Sequence, residues 1–360
     1  MKYIDKDNIE DIALGAALLG TGGGGDPYVG KLMALQAIEE HGPVPLLDPE
    51  DVPDDALIVP TAMMGAPTVL IEKIPSGEEI FRAFEGLKSY LNKDIYATVP
   101  IEAGGVNSMI PIAVAASLGL PLIDCDGMGR AFPELQMVTY HLYDISATPM
   151  MIADEKGNIL MLKTIDNVWT ERLARIATVE MGASVMISIY PMTGKELKKA
   201  AIRNIVTYSA KIGEAIRNSR NSSKSPVDAC LEATGGIELF KGKIKDVSRK
   251  TEGGFARGEA LLDGIDEYSG QNMKVQFQNE NLIAIKNGKV VATVPDLICI
   301  VNLETAMPIT TERLKYGNRV AVLGISCDAK WRTPRGIETV GPRYFGYDVD
   351  YVPVEKLAVK

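Results

Sequence analysis

The densest group of reactive side chains in this sequence is Asp124-Cys125-Asp126-Gly127-Met128-Gly129-Arg130-Ala131-Phe132-Pro133-Glu134, which sets three carboxylates and a guanidinium within eleven residues, directly after the apolar run 121–123. Asp124 and Asp126, two apart on an extended segment, are expected to point the same way and to repel unless a cation or Arg130 sits between them. Two carboxylates in unequal surroundings divide into an acid and a base, and Glu134 offers a third carboxyl for the same work. The plainer alternative is a salt-bridged loop in which Arg130 neutralises Asp126 or Glu134. Cys125 stands between the aspartates, whose charge disfavours a thiolate, so it reads as a core residue rather than a nucleophile.

A second group is Glu102-Ala103-Gly104-Gly105-Val106-Asn107-Ser108, which follows a strand-like run at 95–101 and leads into a helical pattern from Asn107. That position is the carboxyl edge of a parallel sheet, where open α/β sheets bind ligands. Glu102 is a candidate acid or base there, Asn107 a ligand-binding or capping residue, and Ser108 a cap. The third group is the run Gly20-Thr21-Gly22-Gly23-Gly24-Gly25 between two helical patterns. The amides of Gly22, Gly23, Gly24 and Gly25 could form an anion-binding nest at the start of the second helix. The alternative is a helix stop packed against a neighbouring backbone. No Gly-Lys-Ser/Thr sequence and no preceding strand accompany the run, which argues against nucleotide binding.

Other chemistries are excluded by scarcity. His41 and His141 are the only histidines, too few for a zinc site built on several imidazoles. His141 alternates with apolar residues and reads as a hydrogen-bonded structural histidine. The four cysteines lie far apart with no CxxC spacing, which fits a reducing compartment. A net charge of −9 and a pI near 5.0 argue against nucleic acid and against anionic membrane as partners. Asp5, Asp7, Glu10 and Asp11 occupy the stretch that an export signal keeps basic, and the apolar run 110–123 is broken by Pro111, Gly119 and Pro121. The expectation is a soluble, cytoplasmic chain.

These groups require elements to hold them. The length of 360 residues and 46% hydrophobic content predict two domains. Helical patterns at 8–19, 27–40, 77–91 and 107–118 alternate with strand-like runs at 56–61, 95–101 and 121–124, the signature of a mostly parallel or mixed sheet. A hairpin is expected at 150–163 and a helix start at 167–172, where Glu171 and Arg172 form a solvated pair or line an interdomain cleft. From 240 to 325 the period shortens toward two, and Lys286-Asn287-Gly288-Lys289 reads as a type I′ hairpin turn. The fold class is therefore multidomain α and β. Residues 1–168 form an N-terminal α/β domain. Residues 169–360 form a C-terminal domain with a long helix at about 194–217, a linker-like stretch at 218–226, a β-rich part at about 238–326 and a tail returning to the first domain.

The runs LGTGGGGDP (19–27), EAGGVN (102–107), DGMGRAFPELQM (126–137), GGFARG (253–258), PDLI (295–298) and ERLKYGNRVAVLGI (312–325), in this order, resemble the DUF917 family, whose members are similar to S-methyl-thiohydantoin desulfurases and keep company with hydantoinases. The resemblance implies an N-terminal α/β domain followed by a C-terminal domain. It also implies an activity that replaces the sulfur on C2 of a five-membered thiohydantoin ring by water, releasing a thiol in hydantoin or modified-histidine catabolism. On that reading Asp126, Glu134 and Glu102 are candidates for base and acid. Arg130 and the glycine-run amides are candidates for holding a ring carbonyl or a carboxylate tail. Asp124 is a further ligand-binding candidate. The cofactor is unknown: a divalent metal bridging Asp124 or Asp126 is compatible with the sequence and not required by it. The expected partners are the ring substrate, further copies of this chain in a homo-oligomer, and a functional link to a hydantoinase. A reading from another class is a non-catalytic small-molecule binder or accessory subunit of a hydantoinase complex, favoured by the lack of a nucleophile triad.

Overall fold

In the computed structural model, residues 1–65, 69, 77–219 and 223–357 are described. The first sheet grows from strand runs that are apolar on both faces. Leu57–Gly65 (LIVPTAMMG) is buried along seven of its nine positions, as a central strand covered on both sides must be. The order is Tyr3–Ile4, Val44–Leu47, Leu122–Ile123, Ala97–Pro100, Leu57–Gly65, Ser184–Ser188, Met150–Ala153, Ile159–Leu162. The four strands from Val44–Leu47 to Leu57–Gly65 are mutually parallel, and the remainder are antiparallel to their neighbours. It is the mixed α/β sheet that the sequence predicts, and it draws on Ser184–Ser188, beyond the boundary expected at 168.

The second sheet is antiparallel, in the order Lys289–Thr293, Glu280–Lys286, Asn272–Gln278, Phe255–Gly264, Ile237–Glu252, Arg319–Ile325, Leu297–Asn302. Asn287 and Gly288 have φ of 50° and 78°, as a type I′ turn demands. Ile237–Glu252 and Phe255–Gly264 form a long ribbon that period-two patterning leaves unmarked, because the outer half of Ile237–Glu252 is exposed on both faces.

The long helix expected at 194–217 is two helices. Gly194–Ala200 and Ile205–Ser219 are separated by Ile202–Arg203, which pairs antiparallel with Cys125–Asp126. Asn204 takes φ 62°, and Asp124 accepts from Val206 N and Thr207 N at the start of the second helix. A tertiary strand bridge and a cap from a distant loop thus override the continuous helical period. The stretch 218–226 lies partly outside the described residues, and Pro226–Thr234 is helical, with its proline in the first turn where no amide partner is needed.

Ile9–Leu19, buried at nearly every position, is enclosed by Pro27–His41, Ile205–Ser219 and Leu297–Asn302. Its approach to Ile205–Ser219 is set by glycine: a Cβ on Gly15 would stand 1.9 Å from Ser209 O, and one on Gly213 would stand 2.0 Å from Asp11 O. Arg217 closes the seam with two bonds to Asp11, 2.9 and 2.8 Å. The C-terminal segment is drawn in by Asp296, which is fully buried and accepts from Cys327 N, Arg332 Nη2, Tyr351 Oη and Val354 N. That segment reaches the first sheet's side, where Trp331 Nε1 donates to Met128 O at 2.8 Å. Among the described residues no helix is long and apolar enough to cross a membrane.

The glycine seam sets intrinsic helix propensity against packing. Gly213→Ala should gain about 1 kcal/mol of propensity and lose about 1–3 kcal/mol or more to overpacking, so the urea midpoint should fall. A raised midpoint would show that the seam has slack.

Candidate functional site

The carboxyl ends of Leu57–Gly65 and Ala97–Pro100 face the turn between the second sheet's strands Asn272–Gln278 and Glu280–Lys286, and between them lies a cavity of about 60 Å³. Its walls carry Glu102, Asn107, Glu134, Arg175, Asn279 and Glu280, with Gly24 and Gly25 from the glycine run. The space admits one or two waters, and a ring substrate enters only if the walls part.

Glu102 is the best-defined group in it. Asn107 receives Met63 N on its Oδ1 at 2.8 Å and donates from Nδ2 to Met63 O, which fixes the amide so that Nδ2 also donates to Glu102 Oε1 at 2.6 Å. Phe132 N donates to the other oxygen at 3.3 Å. Burial pushes this carboxyl up to about 7, against the opposing pull of Asn107, Phe132 N and the Arg130 charge.

Facing it is Glu280, which the sequence alone does not single out. Asn279, at φ 58°, turns the chain in one residue between two strands and is held by its Oδ1 accepting from Ala256 N at 2.8 Å. That turn aims the next side chain inward. Glu280 is buried, and its Oε2 has no hydrogen-bond partner among the described residues. A Cβ at Gly23 would stand 1.9 Å from Glu280 Oε1, so a side chain there would displace the carboxylate. Burial raises the Glu280 carboxyl well above its ordinary range, and the neighbouring Glu102 raises it further, while Arg130 pulls the other way. Two buried carboxyl groups facing one small cavity do not both ionise readily, so ionisation of one favours the protonated form of the other.

The glycine run has two faces. Gly24 lies on Gly104, where a Cβ would stand 2.5 Å from Gly104 Cα, and Gly24 O accepts from Val106 N and Asn107 N. The close-packing alternative therefore describes its outer face. Its inner face is Gly24 and Gly25, whose amides have no acceptor among the described residues. Gly22 and Gly23 stand outside the cavity wall: Gly22 O accepts from Thr311 N and Gly23 N donates to Gly20 O.

The dense polar loop is divided. Glu134 lines the cavity, half-buried, and accepts from Gln136 Nε2 at 2.5 Å and Tyr344 Oη at 2.7 Å. Asp126 does not: its carboxylate is turned back onto Met128 N and Gly129 N at 3.2 and 2.8 Å, and burial raises it well above the usual range. Asp124 is likewise elsewhere, capping Ile205–Ser219 and accepting from Thr207 Oγ1 as well. The two aspartates therefore do not share a site, because each is satisfied by a separate set of amides. Among the described residues no three His, Cys, Asp or Glu side chains converge as a metal-ligand set.

Arg130 also stands outside the cavity wall and pairs with no carboxylate, contrary to the salt-bridged alternative. It is fully buried and all five of its N–H groups are used. Nε donates to Ala131 O, Nη1 to Pro295 O and Asp296 O, and Nη2 to Thr21 Oγ1 and Asn281 O. Burial lowers it to about 10, so it stays charged at neutral pH and lends positive potential to the two glutamates behind which it sits. The cation that does reach the wall is Arg175, on Asn167–Glu180, bonded through Nε to Glu171 Oε1 at 2.7 Å and through Nη2 to Pro133 O at 2.9 Å. Arg175 lies four residues, one helical turn, beyond Glu171, and that spacing was the one sequence signal for it. Cys125 is buried, with its thiol pushed up by burial and by the flanking aspartates, and His141 is held by Asn167 and lowered by burial.

Two family models match the chain in tandem, S-Me-THD-like, N-terminal domain over residues 7–164 and S-Me-THD-like, C-terminal domain over residues 165–354. No curated protein matches it significantly. A crystal structure of a protein from Chromobacterium violaceum superposes with a TM-score of 0.81 at 22% identity, covering 98% of this chain and 100% of that one, which is a likeness of fold.

The raised Glu102 carboxyl has a thermodynamic signature. Its folded pKa of about 7 exceeds the unfolded 4.5, so the folded state binds more protons between those values and stability falls as pH rises through them. Replacing it by Gln should remove a penalty of about 3 kcal/mol at pH 8 relative to pH 4.5. Urea unfolding of wild type and Glu102→Gln at both pH values measures this, and parallel pH dependences would refute it.

Proposed function

We propose, for this chain, which belongs to the S-Me-THD-like family, that the cavity between the two sheets hydrolyses a C2–sulfur bond in a five-membered ring of the S-methyl-thiohydantoin type. The observation that carries the reading is the pair of buried carboxyl groups, Glu102 and Glu280, facing a water-sized space with free Gly24 and Gly25 amides on its rim.

The chemistry follows from that pair. Water bonds to C2 while one of its protons passes to ionised Glu102 and the proton of Glu280 passes to the ring nitrogen, opening the C2=N bond. On collapse the C2–S bond breaks, the remaining hydroxyl proton returns to Glu280, and Glu102 gives its proton to sulfur. The products are a ring carbonyl, a ring N–H and a thiol, and both carboxyl groups are reset. Donors along Gly24 and Gly25 are suited to a ring carbonyl oxygen, whose charge grows in the tetrahedral state. Glu134, already committed to Tyr344 and Gln136, and Arg175 shape the wall against the ring. Asp126 and Arg130 act through the scaffold rather than on the ring.

The test is thiol release from purified protein and S-methyl-thiohydantoin, read by a thiol reagent and mass spectrometry. Glu102→Gln should lower kcat about 100-fold or more while the variant remains folded. In the wild type kcat/KM should rise with pH through about 7, as Glu102 loses its proton. Asp126→Asn should lose stability yet keep kcat within a few-fold. Undiminished turnover in Glu102→Gln would sink the assignment, and ring binding without thiol release would mark a non-catalytic binder or accessory subunit.

A further inference from the structure

Asn167–Glu180 has one buried face and one largely exposed face, which touches the turn at Gly254 only at its Val179 end. Its inner face delivers Arg175 to the cavity wall, holds it with Glu171, and buries Ala174 and Thr178. Its outer face exposes Trp169, Leu173, Ile176 and Val179 by 42, 40, 64 and 46%. An amphipathic surface helix puts charged residues there, and this one puts an apolar stripe. The stripe is continued in sequence by Ile165, 86% exposed, and by the sheet's last strand, Ile159–Leu162. That strand carries neither charge nor proline to blunt its free edge.

We propose that this face is the contact with a second copy of the same chain, two helices crossing antiparallel about a twofold axis at Ile176. In that arrangement the apolar stripe opposes itself and the flanking charges oppose their opposites, whereas a parallel crossing would set like charges together. An axis at Ile176 opposes positions equally far before and after it, so Leu173 meets Val179 of the partner subunit. Arg172 then meets Glu180 of the partner subunit. Arg172 lies over the Trp169 ring at 5.3 Å, and among the described residues neither Arg172 nor Glu180 enters an ion pair, so both charges are available. A twofold contact makes this pairing twice, at the rim of an apolar centre, which is the usual anatomy of such interfaces. The four exposed apolar side chains of the helix supply roughly half of the ~800 Å² per partner of a stable interface.

The proposal rests on no assumption about the reaction. Sedimentation velocity of the full chain at micromolar concentration should give a dimer, or an even multiple of one. Ile176→Asp should halve the assembly while the circular dichroism spectrum is kept. Should that variant fail to fold, the charges carry the test: Arg172→Glu should weaken association at least tenfold, and Arg172→Glu combined with Glu180→Arg should restore it. A monomeric wild type, an assembly indifferent to these changes, or a double variant no tighter than the single one would overturn the proposal.

Discussion

The buried guanidinium of Arg130 is the constraint on which the arrangement depends. A charge without a carboxylate partner is tolerated in an interior only when every donor is satisfied, and here all five are met by oxygens from three separate parts of the chain. Thr21 comes from the glycine run, and Asn281, Pro295 and Asp296 come from the second sheet. Removing any of these segments would strand the charge, so their relative placement is fixed to within a hydrogen bond's tolerance. Asn281 and Glu280 are consecutive, which means that the group anchoring Arg130 also fixes where the cavity's second carboxyl stands.

The glycines solve the complementary problem of distance. Charge holds the segments together, and absent side chains let them approach: Gly24 on Gly104, Gly23 under Glu280, Gly213 on Asp11. The outcome is a narrow space in which desolvation dominates the behaviour of Glu102 and Glu280, with the Arg130 charge nearby as a partial offset. Moderated burial of this kind leaves a carboxyl titrating near neutrality instead of merely neutral.

Sequence reasoning reached the parts of this that are local. The Glu102–Asn107 loop at a sheet edge, the alternation of strands and helices, the hairpin at Asn287-Gly288 and the close packing of the glycine run all follow from neighbours in the chain. What it could not reach depends on contacts across long separations. Asp124 and Asp126 look like a pair because they are two residues apart, yet one caps a helix that begins at Ile205 and the other closes its own turn. Glu280 follows the one-residue turn at Asn279, and only the docking of the second sheet sets its carboxyl opposite Glu102. The broken helix at 201–204 hides for the same reason, since the strand that interrupts it pairs with residues 125–126.

Asp296 carries a consequence for how the molecule comes into being. Its carboxylate is completed by Val354 N and Tyr351, a few residues from the end of the described chain, while its carbonyl serves Arg130. A nascent chain that has not yet made residues 279–296 lacks both the wall opposite Glu102 and three of the oxygens that satisfy Arg130. The enclosure of Glu102 as a buried acid is therefore a property of the two sheets together and not of the first alone.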